Sequence, residues 1–274
     1  MASIGFVGGG GMASALIGGL VKQGVAAAQI LVAEPVAAQR DMLRAQFSTG
    51  EQLRLHSDSS QMAAAEVVVL AVKPQILRQV AVDLRPYLAA QALVISIAAG
   101  IPIAALERWL GPRPIVRCMP NTAALVGHGA AGLFANAQCD AAQRQRAGAI
   151  LGSVGLACWV ESEDLLDLVT AVSGSGPAYF FRLAELVAAS GAQMGLPAEL
   201  AAALSVQTCL GAGVLARDSG QSLAELRRQV TSPGGTTAAA LQRFADGGLA
   251  ELVRRAMQDC AGRAAELAAE YGGD

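Results

Sequence analysis

Short apolar runs alternate with helical stretches through the first half of the chain. The predicted strands cover residues 4–7, 30–33, 67–72 and 92–97, and another begins at Ile115. The later runs are continuous, as in strands that a parallel sheet buries on both faces. A helix is predicted from about Gly10 to Lys22. This alternation predicts a doubly wound α/β domain of the Rossmann type.

The pattern changes near residue 161, where the strand signals stop. Residues 131–134 and 156–160 are predicted edge strands before that point. Helical stretches follow at 178–194, 198–217, 223–230 and 249–271, with Pro197 at a helix start and Gly195 at a helix end. We therefore predict an α/β domain over residues 1–162 and an all-helical domain over residues 163–274.

Charge is scarce along the whole chain. Charged residues make up 15% of it and hydrophobic residues 53%, whereas an average soluble protein has about 25% charged residues. Two explanations remain open, a large subunit interface or a general bias towards alanine. The net charge of -2 gives no support to nucleic-acid binding, which needs a basic face.

The apolar runs are too short and interrupted to predict a membrane span or a signal peptide. The five cysteines are scattered and form no CxxC pair. We interpret them as buried thiols in a reducing compartment, and so predict a cytoplasmic protein. No HExxH motif or carboxylate cluster indicates a metal site.

A glycine cluster stands between the first predicted strand and the first predicted helix. Gly8, Gly10 and Ala13 occupy the positions of a G-x-G-x-x-A fingerprint, with Gly9, Gly11 and Met12 between them. The first glycine permits the tight turn, the second lets a pyrophosphate approach the backbone, and the small third residue lets helix and strand pack closely. The helix N-terminus then favours the anion. The cluster predicts a dinucleotide site.

Two residues bear on the adenosine end of that nucleotide. Glu34 closes the second strand, where an acid usually accepts hydrogen bonds from the ribose hydroxyls and favours NAD. Arg40 lies about one helical turn further on, where it would suit a 2'-phosphate. The choice between NAD(H) and NADP(H) therefore stays open.

Two further segments end neighbouring strands of the predicted sheet. Ala71, Val72, Lys73 and Pro74 follow one strand, and Ala98, Ala99 and Gly100 follow the next. Ligands of open α/β sheets bind at the carboxyl ends of the strands. We expect both segments to contact the cofactor.

Five segments together give the chain a resemblance to the pyrroline-5-carboxylate reductase family. They are the glycine cluster 8–13, residues 71–75, residues 98–100, Arg117 to Thr122, and the pair formed by residues 173–179 and 231–237. The last pair is the most specific, and the segments appear in the family's order over almost the whole chain. The sequence departs from the family's usual pattern at two positions. This chain has Gly11 where the family often has asparagine, and Ala123 where the family often has proline.

The resemblance implies a Rossmann domain followed by an all-α dimerisation domain that also helps to bind substrate. It implies a homodimer, or a larger ring of dimers. It implies hydride transfer from NADPH or NADH to the imine carbon of 1-pyrroline-5-carboxylate, which yields L-proline in the last step of proline biosynthesis. Asn121 is an expected cofactor contact and Ser175 an expected substrate contact.

Residues 232–237 suit the carboxylate of such a substrate. Gly234 and Gly235 permit a loop that opens into a helix, and Ser232 is the predicted N-cap. The amides of Gly235, Thr236 and Thr237 are expected to point outward. The Thr237 hydroxyl is the predicted catalytic group nearest the substrate nitrogen. Glu163 is a second, weaker candidate for that end.

Three other functions are compatible with parts of the sequence. A reductase of another cyclic imine acid remains open, since one methylene changes binding by only about 1–3 kcal/mol. A β-hydroxyacid dehydrogenase typically has a catalytic lysine early in its second domain, but this chain has lysine only at positions 22 and 73. A non-catalytic nucleotide-sensing module would not need residues 232–237.

Overall fold

The computed structural model describes residues 3–47 and 52–273. The strands are β1 (Ile4–Val7), β2 (Ile30–Ala33), β3 (Arg54–His56), β4 (Val67–Leu70), β5 (Leu93–Ser96), β6 (Ile115–Met119), β7 (Gly129–Ala135) and β8 (Gly155–Trp159). The helices are α1 (Gly11–Lys22), α2 (Ala37–Gln46), α3 (Pro74–Leu84), α4 (Ile103–Leu110), α5 (Ala141–Gly152), α6 (Leu165–Val169), α7 (Gly176–Gln193), α8 (Ala198–Asp218), α9 (Leu223–Gln229), α10 (Thr236–Asp246) and α11 (Leu249–Gly272).

The eight strands form one sheet in the order β3-β2-β1-β4-β5-β6-β7-β8. Neighbours from β3 to β6 are parallel, β7 is antiparallel to β6, and β8 is parallel to β7. The predicted Rossmann-type α/β fold is confirmed. The strand order reverses between β1 and β4, where a doubly wound sheet opens its ligand crevice. The prediction of residues 131–134 as an edge strand is wrong, because β7 is an inner strand and β8 forms this edge of the sheet.

Both faces of the sheet are covered, because successive side chains of a strand point to opposite faces. Phe6 and Val69 pack on the face that carries Leu16 of α1. Val68 and Leu70 pack on the other face, with Leu77 of α3 and Leu106 of α4. Every residue of β1, β2, β4 and β5 is buried. This explains why these strands are continuous apolar runs in the sequence.

The chain divides into two compact units. Unit 1 runs to Ser175 and takes in the chain again from Cys260, and unit 2 is Gly176–Asp259. Unit 2 consists of α7 to α10 and the first part of α11. The predicted division into domains at residues 162 and 163 stays a prediction. The compact units assign the C-terminal part of α11 to unit 1.

The cysteines differ from the prediction of buried thiols. Cys118 on β6 is buried, Cys139 and Cys260 are half-buried, and Cys158 and Cys209 are exposed. All five are free thiols. The prediction is wrong for Cys158 because β8 is an edge strand, so alternate side chains of this strand reach the surface.

Candidate active site

A tight turn connects β1 to α1. Gly8 has a φ of +100°, and a Cβ added there would lie 2.7 Å from the carbonyl oxygen of Ala71. Its amide continues the sheet by donating to the Ala33 carbonyl at 2.8 Å. Positive φ and the closeness of the neighbouring strand both require glycine. Ala13 is buried, as the fingerprint predicts for the position where helix and strand pack closely.

The start of α1 offers room for an anion. Gly10 is the N-cap, and a Cβ added there would meet no atom within 4 Å. The first turn of α1 contains no acidic residue. The amides of Gly11 and Met12 have no acceptor within the helix, as at any helix start, and the helix dipole favours negative charge there. The described residues therefore fit the pyrophosphate of a dinucleotide at this turn.

Glu34 has structural partners at the end of β2. One carboxylate oxygen accepts from the Gly9 amide at 2.8 Å, and the other accepts from the Val36 amide at 2.9 Å. The Arg40 guanidinium lies beside it and donates to the carbonyl oxygens of Glu34 and Pro35, at 2.7 and 2.9 Å. The two residues predicted to contact the adenosine end, Glu34 and Arg40, thus lie together at the carboxyl end of β2. Glu34 also stabilises the glycine turn through its hydrogen bond with the Gly9 amide.

The two other predicted cofactor segments follow β4 and β5, which are neighbours in the sheet. Ala71 and Val72 are half-buried, and the exposed Lys73 is the N-cap of α3, with Pro74 as its first residue. Ala98 is buried, and its amide donates to the Ser96 hydroxyl at 3.4 Å. Both segments therefore lie at the carboxyl edge of the sheet, next to the glycine turn.

Asn121 follows β6, and its buried side chain joins two parts of unit 1. The Asn121 amide group donates to the Ser173 carbonyl at 2.9 Å, and its oxygen accepts from the Ala130 amide at 3.2 Å. These bonds hold the π-helical turn Thr170–Gly174 against β7. The predicted cofactor contact of Asn121 stays a prediction beside this structural role.

A cavity of about 240 Å³ lies within unit 1 next to Gly100. Its lining brings the predicted cofactor residues Ala99 and Gly100 together with the predicted substrate residue Ser175. The other lining residues are Asp167, Thr170, Cys260, Arg263, Ala264 and Leu267. The Cys260 thiol donates to the Ser175 hydroxyl at 3.4 Å. A second depression, of about 280 Å³, lies at the opposite, amino-terminal edge of the sheet and contains no predicted site residue.

An ion-pair cluster below this cavity was not predicted from the sequence. Arg117 of β6 is buried and donates to Glu163 at 2.9 Å, while Asp167 of α6 lies 3.7 Å from the same guanidinium. The Glu163 oxygen that contacts Arg117 also accepts from the Ile103 amide, at 2.8 Å, and so caps the start of α4. Burial raises the pKa of Asp167 above its usual range, against the opposing effect of Arg117. The sequence did contain a signal for this cluster, because Arg117 is a charged residue inside an otherwise apolar strand.

Glu163 therefore has two partners in the fold, Arg117 and the start of α4. Neither contact tests the predicted interaction of Glu163 with substrate. That interaction stays a prediction.

Residues 232–237 belong to unit 2, where they form the turn before α10. Gly234 has a φ of +69°, and the N-cap of α10 is Gly235. The prediction of Ser232 as N-cap is wrong because the helix begins later, at Thr236. The Gly235 amide donates to the Ser232 carbonyl at 3.0 Å and does not point outward as predicted. The amides of Thr236 and Thr237 remain as first-turn donors without an intrahelical acceptor.

Two family models match the chain. Residues 3–100 match the model described as NADP oxidoreductase coenzyme F420-dependent, and residues 163–267 match pyrroline-5-carboxylate reductase dimerisation. The first covers the glycine turn and the segments after β2, β4 and β5. The second covers the turn at 232–237.

Individual relatives match over the whole chain. A pyrroline-5-carboxylate reductase of Pseudomonas aeruginosa is 50% identical over 270 residues, which are 98% of each protein. A solved structure of a pyrroline-5-carboxylate reductase from Coxiella burnetii has a TM-score of 0.92 and 40% identity, with coverage of 97% of this chain and 98% of that one. The Plasmodium falciparum pyrroline carboxylate reductase, solved with NADP bound, has a TM-score of 0.82 and 29% identity at the same coverage. This chain belongs to the pyrroline-5-carboxylate reductase family.

Proposed function

We propose that this protein reduces 1-pyrroline-5-carboxylate to L-proline with NADPH or NADH. The observation that carries the proposal is the glycine turn, which is open at Gly10 and lies in a chain whose whole length matches this family. Bound NAD(P)H supplies the hydride. The protein then has to hold the substrate carboxylate, orient the imine and keep a proton available for the nitrogen.

The turn before α10 supports the roles proposed for unit 2. The amides of Thr236 and Thr237 are directed donors for a carboxylate, and no acidic residue lies in the first turn of α10. Thr237 is half-buried while Ser232, Gly234 and Thr236 are exposed, so it is the most buried hydroxyl-bearing residue of the group. We assign this hydroxyl to the substrate nitrogen, where it orients the imine and relays its proton. Ser175 and Glu163 are the proposed substrate contacts in unit 1.

Thr237→Val is expected to lower kcat/KM for 1-pyrroline-5-carboxylate about 10- to 100-fold, because it removes one directed hydrogen bond to a charged group, worth about 1.5–3 kcal/mol. Thr237→Ser keeps the hydroxyl and is the matched control, expected to stay within a few-fold of the parent. Steady-state kinetics of both variants check this. Unchanged kcat and kcat/KM in the valine variant would remove Thr237 from the mechanism.

The proposed reaction is tested by mixing the purified protein with 1-pyrroline-5-carboxylate and following the loss of NADH or NADPH absorbance in parallel. We expect turnover. The ratio of kcat/KM for the two nucleotides shows whether Glu34 or Arg40 governs the adenosine end. A folded protein that binds the nucleotide but turns over neither would contradict the proposal. A six-membered cyclic imine acid is the next substrate in that case.

A homodimer explains the surface of unit 2. Its helices expose large apolar side chains, among them Phe180 and Phe181 of α7, Leu204 and Leu215 of α8, and Leu252 of α11. A large number of exposed apolar side chains on one unit is typical of an interaction site. Helix α8 is also apolar and long enough to cross a membrane by length and composition alone. We assign the surface to a second copy of the chain and not to a membrane, because residues 163–267 match the family's dimerisation model. We further propose a cytoplasmic location, in keeping with five free thiols.

A further inference from the structure

The last turns of α11 lie against the cofactor edge of unit 1. Tyr271 packs against the apolar core formed with α3 and α4. The Gly272 carbonyl accepts a hydrogen bond from the Arg108 guanidinium of α4, and Gly272 itself contacts Pro102 so closely that an added Cβ would collide with the proline ring. The last turn of α11 is therefore fixed near the carboxyl ends of β4 and β5.

One contact of this helix end shapes the segment after β5. Gly100 has a φ of +73°, and a Cβ added there would lie 3.3 Å from Cβ of Leu267 and 3.4 Å from Cδ2 of Tyr271. The Gly100 backbone is thus packed directly beneath α11. Ala98 and Ala99, which precede it, are predicted cofactor contacts.

A second contact reaches the segment after β4. The Tyr271 hydroxyl accepts a hydrogen bond from the Gln75 side-chain amide at 3.2 Å. Gln75 lies in the first turn of α3, directly after Lys73 and Pro74, which are also predicted cofactor contacts. A single side chain, Tyr271, therefore bridges the start of α3 and Gly100, which follow neighbouring strands of the sheet.

The bridge matters because strand pairing ends at the start of each segment, where the Ala71 amide donates to the Val7 carbonyl at 2.8 Å and the Ile97 amide to the Leu70 carbonyl at 3.2 Å. β4 and β5 pair up to Leu70 and Ser96, and the predicted contacts lie beyond those residues. The sheet order β2-β1-β4-β5 places both segments on the side of the glycine turn away from Glu34, which is the side of the nicotinamide half if Glu34 lies at the adenosine end. Segments that present backbone and small side chains to a ligand bind it best when their shape is fixed before binding, since ordering them costs affinity.

We propose that Tyr271 and Leu267 are positioning residues that hold the segments 71–75 and 98–100 in the shape required to bind the nicotinamide half of NAD(P)H. This rests on the proposed function in taking that nucleotide as the ligand. The two residues act through Gln75 and Gly100 and do not themselves contact the reacting atoms.

Nucleotide binding by the full-length protein, measured without substrate, tests this. Tyr271→Ala is expected to raise the Kd for NADPH or NADH about tenfold, and Tyr271→Phe about threefold, because the phenylalanine keeps the packing and loses one hydrogen bond. The control is Tyr87→Ala, which removes a tyrosine just past the opposite end of α3 and is expected to leave Kd unchanged.

Two readouts separate positioning from general destabilisation. Hydrogen exchange is expected to quicken at the amides of residues 98–100 in Tyr271→Ala but not at those of β1. In turnover, KM for the nucleotide is expected to rise while kcat and KM for the imine stay within about twofold of the parent.

A folded Tyr271→Ala variant with an unchanged Kd would overturn the inference. Should that variant fail to fold, Tyr271→Phe decides alone, with a threefold rise in support and an unchanged Kd against. A parent protein that binds nucleotide without reducing the imine would overturn the proposed reaction but leave this test intact.

Discussion

Gly10→Val is expected to abolish nucleotide binding while the fold survives. Gly10 has extended φ and ψ angles that valine adopts without strain, and the space above it is empty. The added side chain would occupy the position where a pyrophosphate approaches the start of α1. We expect the Kd for NADPH and NADH to rise at least about 100-fold, equivalent to about 2.7 kcal/mol. Calorimetric titration of the purified variant measures it.

The matched control for Gly10→Val is Gly18→Ala in the same helix. An added Cβ there makes ordinary contact with Phe47, at 3.7 Å, so the Kd is expected to stay at the parent's value. The stability of the valine variant is expected to stay within about 1 kcal/mol of the parent, the usual range for an N-cap change. A valine variant with a Kd within threefold of the parent would place the pyrophosphate elsewhere.

Arg117→Met is expected to destabilise the protein by about 3 kcal/mol. The guanidinium is buried and lies beside Glu163 and Asp167, whose side chains are 26% and 18% exposed. Removing one partner of a buried pair leaves an uncompensated charge and costs about 3–5 kcal/mol, and the partial exposure of the acids favours the low end. Urea unfolding at equal protein concentration measures the loss.

The loss should also depend on pH. Burial already raises the pKa of Asp167 from its ordinary value of 3.8, and Arg117 opposes that rise. Without the arginine, the folded-state pKa rises further. A carboxyl with a raised folded-state pKa stabilises the fold fully below its unfolded-state pKa, and that stability is lost as pH rises through the folded-state value. The gap between variant and parent is therefore expected to be wider at pH 8 than at pH 5.

Arg113→Met separates the ion pair from simple burial. Arg113 is also buried, but its guanidinium donates to the Leu110 carbonyl, at 2.7 and 3.1 Å, and no ion pair to an acid is found for it among the described residues. Its replacement leaves no carboxylate unpaired, so we expect a loss of about 1 kcal/mol with little pH dependence. Equal losses at both pH values in Arg117→Met would show that Asp167 and Glu163 do not depend on this arginine.

Features that depend on residues close together in the chain follow from the sequence. β1 and β2 have their predicted bounds because a strand buried on both faces is a continuous apolar run that ends at glycine or at a charged residue. The glycine turn was predicted because its requirements, a positive φ at Gly8 and free space at Gly10, belong to single residues. The family followed from segments that are each contiguous in the chain.

Other features do not follow from the sequence, because they depend on pairing with another strand or on the geometry of a turn. Strand β3 is three residues long and contains an exposed arginine, so it has no apolar run that predicts a strand. It is a strand because it pairs with β2. Ser232 has the right chemistry for an N-cap, but Gly235 is the N-cap and α10 begins at Thr236, after the turn with positive φ at Gly234.

The sequence by itself thus determined the alternation of the buried strands with helices, the glycine turn and the family. The tertiary structure alone decided which polar groups are already engaged, as with Glu34 at Gly9 and Glu163 at Arg117. It also decided where the last turns of α11 lie. The physical reason is that periodicity and turn chemistry act over a few residues, whereas a hydrogen bond such as that between Gln75 and Tyr271 joins residues 196 positions apart.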